Sequence, residues 1–282
     1  MNLLHPAAAL LIAVAVGVGR LALEQVDFFY GQAWQRGVEA LTAAAVVAVT
    51  LQFAPGDPPR RPWACLMLAV VLVLLARVLI FAAWSPGAIN PAHPVIILAN
   101  IFFVLSILGF NRVLGSSELL SERTEADRWR ALAFVGLLAA GSLTSLGYNA
   151  WEVAARNPPS GLGAWFGTAT ALISTTADAL VCAGSIYLVW LVRPLVGGSL
   201  ARPYLLLALS GATALVVDFV LIGAGETIQT ELRSRTFFEQ LGGLFGCLSY
   251  ALIGLSALTQ LWLLRRAGRR GGGLSLEPTR IG

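Results

Sequence analysis

The chain has 282 residues, 57% of them hydrophobic and 12% charged, with a formal net charge of +4. No soluble domain of this length is so apolar, which points to a chain embedded in a membrane. Its nineteen basic residues are all arginines, and without lysine there can be no retinal Schiff base, no pyridoxal phosphate attachment and no P-loop.

Eight apolar stretches follow one another at 4–22, 33–54, 62–84, 94–113, 131–152, 164–192, 203–224 and 238–264. About 20 helical residues rising about 1.5 Å each cover a hydrocarbon core of about 30 Å, and every stretch meets that length. The expected fold is therefore all-α: a polytopic membrane bundle of about eight transmembrane helices in a single domain over 1–270. The first stretch lacks a basic run before it and reads as a retained helix rather than a cleaved signal. Its Gly17 and Gly19 suit close helix packing. Arg20, Glu24 and Asp27 lie at or just beyond its end. Trp34 opens the second stretch, which contains Glu39. The third begins Arg61-Pro62-Trp63 and holds Arg77, and the fourth holds Asn100.

Glu118, Glu122, Glu125 and Asp127 mingle with arginines ahead of the fifth stretch. There Thr124 followed by Asp127 resembles a capping box that starts the helix. Asn149 stands near that helix's far end. The sixth stretch carries Asp178 behind Ser174, Thr175 and Thr176. The seventh begins Arg202-Pro203-Tyr204 and holds Asp218. Gly242 and Gly246 form a GxxxG pair in the eighth, with Ser249, Tyr250 and Gln260 as polar contacts between helices. Residues 271–282 open on glycines and read as a disordered cytoplasmic tail.

Arginines gather at 55–61, 112–130, 193–202 and from Arg265 onward, in every second gap. By the positive-inside rule both termini are cytoplasmic. An arginine-only basic set fits a GC-rich genome, and the expected location is a bacterial cytoplasmic membrane. Trp34, Trp63, Trp84, Trp151, Trp165 and Tyr204 stand near stretch ends, as interfacial belts do. The Arg-Pro-aromatic starts of the third and seventh stretches, each followed fifteen residues after the proline by a charge (Arg77, Asp218), suggest a four-plus-four parallel repeat. Its halves would be 1–114 and 124–270, with a site between them.

Counting helical rise from the outer ends places Arg77 and Asp218 about 10 Å deep, Asn100 about 9 Å and Glu39 about 8 Å. Asn149 falls near the same level. An intramembrane charge is costly unless paired or wetted, so this layer reads either as an ion or solute pocket or as a structural knot with Arg77 between Glu39 and Asp218. Glu39 is also near enough to an end to snorkel. Asp178 stands apart, nearer mid-membrane, as a proton or cation station or as a neutral acid bonded to a neighbouring helix.

Two histidines, His5 and His93, leave no pair for haem and no base for a serine nucleophile. Cys65, Cys182 and Cys247 are scattered and read as apolar filler. No metal site and no cofactor is implied. Asp178 and Asp218 differ in depth by about 10 Å, too far apart to share a proton as an aspartyl protease dyad does. The reading that leads is a small carrier or channel for an ion or polar solute. The alternative is a non-catalytic membrane subunit or sensor module, and third is a membrane enzyme acting on a lipid-linked substrate. The expected partners are the lipid bilayer, a small ion or solute, and a membrane protein or second copy of the chain, with no nucleic acid.

Overall fold

The computed structural model describes residues 6–80, 89–116, 125–156, 161–195, 198–227 and 232–271; inside its helices the side chains of some residues, Asn149 and Asp218 among them, lie outside the description. Trp84, Thr124 and the tail beyond Gly271 also fall outside the described residues. Among the described residues there are eight α-helices and no strand. They are α1 (Pro6–Val26), α2 (Phe28–Thr50), α3 (Arg60–Ile80), α4 (Ala92–Gly115), α5 (Glu125–Arg156), α6 (Leu162–Val192), α7 (Arg202–Thr227) and α8 (Leu232–Gly271).

Six of these helices are long and apolar enough to cross a membrane. The exceptions are α2, with Gln32, Gln35, Arg36 and Glu39 in its first half, and α5, whose described apolar run is confined to Trp129–Gly141. The expectation of eight spans is met only in part: eight helices form, and six of them have spanning character. Large apolar side chains face outward all round, with Leu11, Phe29, Leu41 and Val78 each about 70% exposed or more. In water each would forgo about 1.5–3 kcal/mol of burial, whereas lipid tails cover such a surface without cost.

The helix ends differ from expectation in two informative places. Residues 23–32, expected as a gap, are almost wholly helical. Asp27 alone separates α1 from α2, and its carboxylate accepts the Phe29 N–H at 2.7 Å as an N-cap. Gly31 permits the hairpin, since a Cβ there would stand 2.8 Å from the Glu24 Cβ. At the other end α8 continues through Arg265, Arg266, Arg269 and Arg270 rather than stopping at 264. The Arg266 guanidinium lies 5.0 Å over the Trp262 ring, a cation–π contact one turn along the same helix.

The packing makes a closed ring: α2 on α3, α3 on α4, α4 on α6, α6 on α7, α7 on α8, and α8 back on α2. Outside it, α1 rests on α8 and α2, and α5 rests on α6 and α7. One end of the ring is filled by the main apolar core, built from Val46, Val49, Trp63, Phe110, Leu188, Val192 and Tyr204. Trp63 is fully buried, edge-on to Phe110 at 5.2 Å, and Phe110 meets Tyr204 at 5.8 Å. Trp63 and Tyr204 are therefore core residues and not part of an interfacial belt. Burying aromatic area between three helices yields more than leaving it at a headgroup surface. Trp151 and Trp165, 66% and 56% exposed, do face outward.

Candidate functional site: a buried charge ladder beside a central cavity

The C-terminal part of α1 delivers an arginine into the bundle. Arg20 is only 3% exposed. Its Nη1 donates to Glu24 Oε2 at 2.6 Å, one turn further along α1, and its Nε donates to Gln35 Oε1 on α2 at 2.9 Å. Room for the guanidinium comes from Gly243 on α8, where any Cβ would collide with it. Gln35 passes the chain of bonds onward, its Nε2 donating to Glu39 Oε1 at 3.1 Å. Glu39 is 1% exposed and also accepts from Arg36 Nη1 at 3.0 and 2.9 Å through its two oxygens. Arg77 Nη2 on α3 stands 3.7 Å from Glu39 Oε1, close enough for Coulomb attraction and too long for a hydrogen bond. Five side chains, Glu24–Arg20–Gln35–Glu39–Arg36, thus form one ladder whose middle members Arg20, Gln35 and Glu39 are buried, with the half-buried Arg36 at one end and Arg77 at its inner edge.

Beyond Arg77 the ring encloses a cavity of about 350 Å³. Each of the six ring helices lines it: Gln35 from α2, Arg77 from α3, Asn100 from α4, Asp178 from α6, Ser210 from α7, and Ser249 with Tyr250 from α8. Much of the remaining wall is apolar, with Val73, Phe103, Val181, Ala214, Val217 and Ile253. Asn100 Nδ2 donates to Ser174 Oγ at 2.7 Å, tying α4 to α6 one turn before Asp178. Ser249 Oγ donates to the Ser210 carbonyl at 3.0 Å, tying α8 to α7. The Arg77 Nε is buried and has no hydrogen-bond partner among the described residues.

Of the residues singled out in the sequence, Arg77, Asn100 and Asp178 share this cavity, and Glu39 touches it through Gln35 and Arg77. Asp178 lines the same cavity as Arg77 and Asn100, one turn along α6 from the Ser174 that Asn100 bonds. Glu39 does not snorkel; it is 1% exposed and held by hydrogen bonds from Gln35 and Arg36. The main cation beside it is Arg36, three residues earlier on the same helix, not Arg77 alone. Asp218 follows Val217, which lines the cavity, but its side chain lies outside the description, so the expected Arg77–Asp218 contact falls there too. Asn149 belongs to α5, which packs outside the ring and supplies no described lining residue.

Arg20, Gln35, Arg36 and Glu24 were not among the expected site residues. Their i, i+3 and i, i+4 spacings (Arg20/Glu24, Gln35/Glu39, Arg36/Glu39) were the available signal. Gly246, one of the GxxxG pair, acts differently from a close-packing seam. The nearest atom to a Cβ on Gly246 is Gln35 Nε2 at 3.9 Å, so this glycine opens space in the cavity wall. Gly17 does bring α1 close, with the Leu244 carbonyl 3.2 Å from where a Cβ would stand.

The six apolar helices and the outward apolar faces place the chain among multi-helical integral membrane proteins. No family model matches the chain, and neither a curated protein nor a solved structure matches it.

Proposed function

We propose that this protein is a small carrier or channel for an ion or small polar solute, with the central cavity as its binding site. The observation that carries the reading is the cavity itself: six helices converge on one space holding an arginine, an aspartate and an asparagine. Intramembrane ionisable groups that face an interior cavity mark substrate and ion pathways. The apolar plug of Trp63, Phe110 and Tyr204 closes one end of the ring, and the polar groups lie toward the other. In the proposed orientation, with both termini in the cytoplasm of a bacterial cell, the cavity faces outward. The arginines of the 55–61, 112–130 and 193–202 links and of the end of α8 support that orientation. Reporter fusions after residues 58, 120 and 198 should read cytoplasmic, and those after 88 and 230 extracytoplasmic; the opposite pattern at any two sites would reverse it.

A four-plus-four repeat, with halves 1–114 and 124–270, fits the same reading. The ring takes α2, α3 and α4 from the first half and α6, α7 and α8 from the second. The joint of α4 on α6 answers that of α8 on α2, and α1 and α5 both lie outside. Trp63 and Tyr204, the aromatic residues of the two Arg-Pro starts, meet on the same Phe110 ring.

The transport reading is tested by flux in proteoliposomes. Wild-type protein should move protons, a common ion or a small polar solute, and Asp178→Asn should fold normally yet lose ion- or proton-coupled flux. Absence of any such flux from the wild-type protein would leave the second reading, a non-catalytic subunit or sensor that docks a partner membrane protein or its own copy. The ladder from Glu24 to Arg36 favours that alternative, since a saturated network of fixed charges is what a structural staple requires.

A further inference from the structure

We propose that the cavity receives a small monocarboxylate with a short apolar body, its carboxylate held by Arg77. This rests on the reading of the cavity as a binding site and names the class of its ligand. Glu39 is the only acid the structure sets beside Arg77 among the described residues, and it is already engaged by Arg36 through both oxygens and by Gln35. At 3.7 Å Arg77 receives its attraction without a hydrogen bond. The Nε of Arg77 is a buried donor lacking an acceptor among the described residues, on a side chain that lines the cavity. A guanidinium presents its donors as a planar fork, and a carboxylate is the group that fork accepts in two parallel bonds.

The other polar groups limit the ligand further. Among the described lining residues Arg77 is the one cationic side chain, and the acid Asp178 lines the same space, so a second carboxylate on the ligand has no second guanidinium to meet. Ser210 and Ser249 spend their hydroxyl hydrogens on backbone carbonyls and offer little to a strongly polar solute. Val73, Phe103, Val181, Val217 and Ile253 provide an apolar wall, and about 350 Å³ suits a ligand of a few carbon atoms.

The test is equilibrium binding to the full-length protein in lipid nanodiscs, using 4-methylpentanoate, 3-methylbutylamine and glutarate as probes. The carboxylate should bind, with the amine and the dicarboxylate at least tenfold weaker. Arg77→Lys keeps a cation beside Glu39 but removes the Nε and the fork. It should melt as the wild type does and bind 4-methylpentanoate roughly tenfold more weakly, as expected for a lost charge-assisted hydrogen bond. Equal binding of the amine, equal binding of glutarate, unchanged affinity in Arg77→Lys, or no binding of 4-methylpentanoate at millimolar concentration would each overturn the inference. Carboxylate binding without flux would uphold the inference and remove the transport reading, while cation flux without carboxylate binding would do the reverse.

Discussion

Arg20→Leu should destabilise the protein by about 3 kcal/mol or more, the scale for breaking a buried ion pair from one side. The leucine leaves Glu24, whose side chain is 9% exposed, without its cation, and Gln35 Oε1 without its donor. It also empties the space against α8 that the guanidinium fills. Gly243 reports on the same contact independently. Gly243→Ala puts a methyl where the guanidinium lies, so it should cost about 1–3 kcal/mol of overpacking in the wild type. In the Arg20→Leu background the more pliable side chain can turn aside, and the same change should cost much less. Unfolding by denaturant in mixed micelles, run as a double-mutant cycle, measures the coupling. Additive effects, with Arg20→Leu costing under about 1 kcal/mol, a value typical of exposed pairs, would show that the ladder is not buried as described.

The helices were largely legible in the sequence because hydropathy marks where a chain can remain in oil, and eight apolar stretches became eight helices. Their ends were less so. Arg20, Glu24 and Asp27 looked like the content of a loop, since isolated charges end an apolar run. In the fold the first two satisfy each other within α1 and the third caps α2, so the helices persist where hydropathy stops. The site was legible in part. Arg77, Asn100 and Asp178 stand out as polar residues in apolar helices, and they meet. Their polar neighbours Gln35 and Arg36 were hidden near a presumed span end, where such residues are ordinary.

Helix rotation was also beyond sequence reasoning. A helix that is apolar all round does not declare which face turns inward. Trp63 and Tyr204 were accordingly assigned to a belt when they face the core. Likewise the apolar boundary at residue 33 did not mark the start of the second helix. With α2 starting at Phe28, Glu39 lies about 18 Å along the helix from Asp27 rather than near its end.

Gly246→Leu should have the largest functional effect of any single substitution. A Cβ on Gly246 has only Gln35 Nε2 within 4 Å, at 3.9 Å, so the backbone accepts a side chain and the protein should fold. The isobutyl group would then project into the cavity between Gln35 and Tyr250 and fill it, and both flux and ligand binding should fall to background.

The measurement that bears most directly on the account is thiol accessibility in that cavity. Ala214 lines it from α7 and can become cysteine with little change in volume, once Cys65, Cys182 and Cys247 are replaced by alanine. In native proteoliposomes a small, charged, water-borne methanethiosulfonate reagent should modify Ala214→Cys from one side of the membrane, and Gly246→Leu should slow that reaction at least tenfold. Modification that occurs only after denaturation would mean a dry, closed bundle, and the cavity would then not be a site for any solute.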